Sequence, residues 1–393
     1  MPAPHVYLDH AATTPPDPAV VAAMAEVAVS HPGNPSSIHA LGRAARARLD
    51  DAREFLRGSV GGARIVMTSG GTEADMLGIL GAAAARPSGR VLVAASDHAA
   101  VLAQDGLLAR HRQQLQLLPV TPHGDLDPEV LFENLGSDVR VVSLLHGHNE
   151  LGTLCDLDEL VGLIRRVAPA AHIHVDLVQA YGKIDFDLDL ADVDSVATSA
   201  HKLHGPRGVG FLALSSKASL APLCAGGGQE EGLRGGTENL AGAVGFALAA
   251  ELALTHLERR ATTMRALLDR AWHAIVEVFP DATQLGHPDR RLPHVLSVRI
   301  PGVIAHTLLE RCDERGVMFS TGAACHAGET KDNHVLRAIG LSRGAAREVF
   351  RLSVAASTTT EELDLAVDVL LDEAEMLQHL AVPASRKANG HAQ

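Results

Sequence analysis

Between about residues 60 and 215, short runs rich in β-branched residues and leucine alternate with Ala/Leu-rich stretches of helical length. The apolar runs are 64–69, 90–96, 141–146, 172–177, 193–201 and 209–214. They are nearly continuous in apolar character rather than alternating, the mark of strands buried on both faces by crossover helices. This pattern predicts an α/β domain built on a large, mostly parallel sheet covered on both sides. A long Ala/Leu-rich segment from Thr237 to about Arg260 predicts one helix, with Thr237 as a candidate N-cap. Beyond it, strand-like 294–300, helical 306–315, strand-like 316–320 and 348–355, and a helix over 360–380 predict a smaller α+β domain. The expected division is a large domain over 15–257, a small domain formed by 1–14 with 258–382, and a disordered tail from 383 to 393.

Composition narrows the possible partners. With 393 residues, 46% of them hydrophobic, the chain is long enough for two cores. Its net charge of −13 and its lack of a Lys/Arg run argue against nucleic acid and against an acidic membrane surface. No apolar stretch reaches membrane-spanning length and the N-terminus does not read as a secretory signal, so a cytoplasmic location is expected. The cysteines at 155, 224, 312 and 325 form no Cys-x-x-Cys pair, so no disulfide framework is indicated. The pairs His146/His148 and His172/His174 each share a strand face, but neither brings a clear third ligand, and no metal is expected.

Candidate chemistry follows the predicted strands, where ligands of parallel sheets gather. Lys202, in Ser199-Ala200-His201-Lys202-Leu203-His204-Gly205, closes an apolar strand before a glycine turn; a lysine desolvated there suits a Schiff base, though a solvated loop lysine has the same local pattern. Gly70-Gly71-Thr72 follows the first strand and reads either as a phosphate cradle or as an ordinary helix cap. Asp176 ends the strand His172-Ile173-His174-Val175, fitting a protonated pyridine nitrogen or a cap on the next helix, and Gln179 lies three residues on. Cys325 sits in Thr321-Gly322-Ala323-Ala324-Cys325-His326 and reads as a mobile thiol or an inert small core residue.

Together with Tyr7-Leu8-Asp9-His10-Ala11-Ala12-Thr13-Thr14-Pro15, Gly33-Asn34-Pro35-Ser36-Ser37-Ile38-His39 and Phe350-Arg351-Leu352-Ser353, these segments resemble the class V branch of fold-type I enzymes that use pyridoxal 5'-phosphate. Within that branch they are similar to the cysteine desulfurases and selenocysteine lyases. The resemblance implies Lys202 as the Schiff-base lysine, His98 stacked on the pyridine ring, and Asn149 and Gln179 at its phenolate oxygen. It further implies Asp176 at the ring nitrogen, Gly71, Thr72, Ser199 and His201 at the phosphate, and Thr237 reaching the phosphate of a neighbouring subunit in a homodimer. Arg351, assisted by Asn34, would bind the substrate carboxylate, and Cys325 would accept sulfur as a persulfide before passing it to an acceptor protein. The implied reaction converts cysteine to alanine, with selenocysteine the alternative substrate. A lyase or epimerase of the same branch, or a catalytically weak scaffold for sulfur transfer, are further alternatives. Four residues depart from the common pattern: Pro32, His148 before Asn149, and Leu177-Val178, which add bulk expected beside the ring.

Overall fold

The computed structural model describes residues 5–62, 64–321 and 333–381; Cys325, His326 and the tail from 383 lie outside them. A two-residue strand β1 (Val6–Tyr7) opens the chain, and a seven-stranded sheet follows. Its strands are β2 (Arg64–Thr68), β3 (Gly89–Ala94), β4 (Gln113–Leu118), β5 (Val139–Leu145), β6 (His172–Asp176), β7 (Ser195–Ser199) and β8 (Gly210–Leu214), in the spatial order β2-β8-β7-β6-β5-β3-β4. Only β8 runs against its neighbours, so the other six strands end at one edge of the sheet. The mostly parallel sheet expected from the apolar runs is therefore present. The strand β4 was not among the expected ones: as an edge strand with the sequence QQLQLL it buries only Gln113 and Leu118, so three glutamines are tolerated where a central strand would be apolar.

Three further strands, β9 (Thr283–Leu285), β10 (Val295–Arg299) and β12 (Val349–Ser353), form an antiparallel sheet in the order β12-β10-β9. The short β11 (Val317–Met318) pairs in parallel with β1. These strands and the helices Leu257–Val278, Ala305–Glu314 and Thr360–Ala381 enclose a second apolar cluster that includes Val6, Leu8, Leu268, Leu308 and Leu370. No single helix among the described residues is long and apolar enough to cross a membrane.

The single helix expected from Thr237 to Arg260 is two. Leu240–Leu254 and Leu257–Val278 meet at a bend of 73°, because Thr255 is extended and His256 adopts a left-handed φ of 61°. Asn239, not Thr237, caps the first helix, its side chain accepting the amide of Gly242 at 2.9 Å. No glycine or proline stands at Leu254-Thr255-His256-Leu257, so no local signal marks this bend. We propose that the lobes divide at it.

Candidate functional site

Five of the candidate segments leave the sheet at one edge, because β2, β3, β5, β6 and β7 all end there. The expected strand 193–201 stops at Ser199, and Ala200–Lys202 form a single 3-10 turn that swings Lys202 off the sheet. Its Nζ donates to the carbonyls of Ala11 at 2.7 Å and Ala12 at 2.9 Å. Burial, then the charge of Arg351, pulls the Lys202 ammonium down to about 8, against the opposing pull of Asp176 and Asp9. A neutral, nucleophilic amine is thus accessible near neutral pH. The Ala11 carbonyl also accepts Nε2 of Gln179 at 2.8 Å, so the N-terminal segment joins two candidate residues. Gln179 Oε1 meets His294 at 3.3 Å.

After β2, the chain turns through Gly70 at φ 154° and ψ −176°, a conformation open only to glycine, and enters a helical stretch that runs from Gly71 to Ala84 with a π-turn at Leu77–Gly81. Glu73 folds back to accept the amide of Ser69 at 2.5 Å and pairs with Arg234 at 3.0 Å, which ties the segment carrying Thr237 to this turn. An open cleft of about 360 Å³ lies beside it, lined by Thr13, Ser69, Gly71, Thr72, Ser199 and Arg207 among others. The Ser199 hydroxyl is buried with no hydrogen-bond partner, and a methyl group at Gly70 would lie 3.9 Å from it. A buried orphan hydroxyl facing a glycine turn calls for an acceptor-rich group from outside the chain. His201 lines the same cleft and contacts Thr13 Oγ1 through Nδ1 at 3.1 Å; burial lowers it to about 4, so it is a neutral hydrogen-bonding group.

Gly71 also sets a limit on the departures noted above. A Cβ there would sit 2.6 Å from Cγ2 of Val178, so Val178 presses on the cradle, while Leu177 turns into the main core and is fully buried. Of the two departures, only Val178 adds bulk at the glycine turn. Replacing Gly71 by alanine is expected to weaken binding of a phosphate-bearing ligand in this cleft about tenfold, read by titrating in the cofactor that the sequence resemblance implies, and adding Val178→Ala is expected to restore it.

Asp176 is buried at the end of β6, with Oδ1 accepting the amide of Val178 at 2.9 Å. Burial, reinforced by Asp75, raises it to about 7, so it favours a cationic partner. His98 caps the helix Ala99–Leu102, accepting the amide of Ala100 on Nδ1 at 3.2 Å, and is otherwise exposed. Desolvation lowers His98 while Asp176 resists the shift.

The chain matches the aminotransferase class-V family model over residues 6–365. The chain belongs to the aminotransferase class-V family. It is 34% identical over 381 residues to "Cysteine desulfurase IscS 1" of Archaeoglobus fulgidus, covering 95% of this chain and 98% of that protein. It is 37% identical over 368 residues to "Cysteine desulfurase NifS" of Azotobacter vinelandii, covering 92% and 90%. Among solved structures, a NifS-like protein superposes with a TM-score of 0.88 at 31% identity, covering 95% of this chain and 100% of that one.

In this class-V protein the residue that stands before Asn149 does a definite job. His148 accepts the amides of Glu150 and Leu151 on Nδ1 at 3.1 and 3.3 Å and meets the Ser96 carbonyl through Nε2 at 3.1 Å. Burial lowers it to about 3, which keeps it neutral with its proton on Nε2. It therefore shapes the loop that carries Asn149. Arg351, which from its type alone reads as a surface residue, is buried on β12; its guanidinium donates to Oδ1 of Asp9 and to the carbonyl of Asn149, each at 2.7 Å, and its Nε has no partner. Asn34 is exposed and its side chain accepts the amide of Ser36 at 2.8 Å; no hydrogen bond joins it to Arg351 among the described residues. Thr237 is exposed, and Pro32 likewise.

Sequence reasoning missed the part played by the N-terminal backbone. The carbonyls of Ala11 and Ala12 accept the Lys202 amine, and carbonyls leave no trace in residue type.

Proposed function

We propose that this protein is a cysteine desulfurase that uses pyridoxal 5'-phosphate, converts cysteine to alanine and hands the sulfur to an acceptor. The observation that carries the reading is Lys202: a half-buried amine lowered to about 8 by desolvation and set at the same sheet edge that ends in Asp176. The relatives named desulfurases support the choice of substrate. The residues present suit the cofactor: the orphan Ser199 hydroxyl, the glycine turn and Thr72 fit a phosphate, and the buried Asp176 carboxylate fits a ring nitrogen that carries a proton.

When bound, the cofactor supplies an electron sink that makes the substrate's Cα proton acidic and its Cβ–S bond breakable. In this reading Lys202 holds the cofactor and moves the Cα proton with its amine. His98 carries a proton at its open edge, and Asp176 keeps the ring nitrogen protonated. Arg351 grips the substrate carboxylate through its planar fork. Cys325, outside the described residues, attacks the substrate sulfur as a thiolate: the S–S bond forms, the Cβ–S bond breaks, and its electron pair stays with the carbon skeleton, which takes up a proton to become alanine. Homodimeric assembly and a cytoplasmic site of action belong to the same reading. For the first, Ile38 and Leu41 offer apolar surface at 91% and 55% exposure close to Asn34; for the second, Cys155, Cys224 and Cys312 are free thiols.

The test is alanine release from cysteine and selenocysteine measured side by side, with and without a thiol acceptor. Cysteine turnover that depends on Cys325 is expected. Turnover of selenocysteine alone would replace this reading with a selenocysteine lyase, and absence of both would end it.

A further inference from the structure

On β6 the side chains of His172, His174 and Asp176 share one face, because strand side chains alternate. Behind Asp176 runs a buried polar chain. Asp75 Oδ1 lies 3.2 Å from His174 Nε2, His174 Nδ1 lies 2.8 Å from Ser195 Oγ, and Ser195 Oγ lies 2.7 Å from His172 Nε2. All four residues are at most 2% exposed. The chain ends at His172 Nδ1, which is buried and has no partner.

That orphan sets the direction of every proton in the chain. A buried N–H without an acceptor is rarer and costlier than a buried lone pair without a donor, so the His172 proton sits on Nε2 and is donated to Ser195. The Ser195 hydroxyl then donates to His174 Nδ1, and the His174 proton, left on Nε2, is donated to Asp75. Asp75 is the terminal acceptor.

Asp75 faces two more buried acids, Asp176 at the end of β6 and Asp97 after β3, and no Lys or Arg ion pair reaches any of the three among the described residues. Burial raises all of them, to about 8 for Asp75 and well above the usual range for Asp97, and each of the others adds to the rise in Asp97. With no cation in front of Asp176 these acids are largely protonated near neutral pH; a cationic ring bound there would draw Asp176 and Asp75 back to their ionised forms, and the His174 Nε2 proton donated to Asp75 favours the same form. The charges that offset them are few. His98 and His174 act on Asp176, Asp176 acts back on Lys202, and Arg86 and Arg165 face the far end at His172.

We propose that Asp75 is a positioning residue for the cofactor ring: as the acceptor at the end of this chain it holds negative charge behind Asp176, so that the two acids together favour a protonated ring nitrogen in front of them. The inference rests on the reading that pyridoxal phosphate binds here. It assigns a role to a residue that touches neither cofactor nor substrate.

The test uses the full-length, cofactor-loaded protein and Asp75→Asn, which keeps the oxygen that accepts from His174 and removes the charge. The dissociation constant for pyridoxal phosphate is expected to rise about tenfold, and the pH midpoint of the bound cofactor's visible absorption to fall by about one unit. Ser195→Ala, which cuts the chain and leaves all three acids, is expected to shift both in the same direction by less, and it decides the matter if Asp75→Asn does not fold. An Asp75→Asn protein that only melts earlier, with both readouts unmoved, overturns the inference. Tighter binding overturns it as well. Failure of the unaltered protein to bind pyridoxal phosphate would instead overturn the functional reading itself.

Discussion

Lys202→Ala is expected to cut alanine formation from cysteine by at least about 10³-fold while leaving the protein folded. In the proposed function the amine is both the attachment point for the cofactor and the group that moves the Cα proton, so a single truncation would remove two functions. Stability should change little, because Nζ gives up two hydrogen bonds to the carbonyls of Ala11 and Ala12 and a desolvated charge disappears with them. The readouts are the alanine assay, the visible absorption of the bound cofactor, which should vanish, and a melting curve. An absorbing, active Lys202→Ala protein would mean that another amine attaches the cofactor. Lys183 is the nearest rival: it is buried, lowered to about 7 by burial first, and its Nζ donates to the Lys202 carbonyl at 2.5 Å.

Arg351→Ala is expected to lower kcat/KM by about 10² to 10³-fold, chiefly through a higher KM. Two charge-assisted bonds from a planar fork account for that range, and Arg351→Lys should recover only a small part of the loss, since a point charge cannot copy the fork. The structure adds a complication that separates binding from structure. Arg351 already holds the Asp9 carboxylate at 2.7 Å, so substrate must share or displace Asp9. Asp9→Asn should therefore lower KM even as Arg351→Ala raises it. If both variants raised KM equally, Asp9 and Arg351 would be acting as one structural unit and the carboxylate grip would lie elsewhere.

The fold was legible wherever burial dictated residue type. The central strands β5 and β8 are buried on both faces, and their sequences are largely apolar for that reason. The edge strand β4 and the three-residue β9 were not legible, because exposed strands are free to carry glutamine and threonine. The bend at His256 escaped for a different reason: a left-handed residue other than glycine is imposed by packing and has no local signature. At the site, residue types that are costly to bury announced themselves, as Asp176 did. Arg351 and Val178 gained their expected places from the family resemblance and their contacts from the fold, since nothing in their neighbours' sequence says which way they point. Ser195 was the least legible, a small hydroxyl on an apolar strand whose meaning depends on two histidines reaching it from β6.

The N-terminal segment also bears on how the protein is made. Ala11 lends its carbonyl to Lys202 and its amide to the hydroxyl of Ser353, 342 residues further along. As the chain leaves the ribosome, the segment around Ala11 must wait for β12, the last described strand, before the wall around Lys202 can close. The catalytic cleft is thus a checkpoint on completed synthesis: a chain cut short before residue 353 lacks the clasp that holds its own beginning in place.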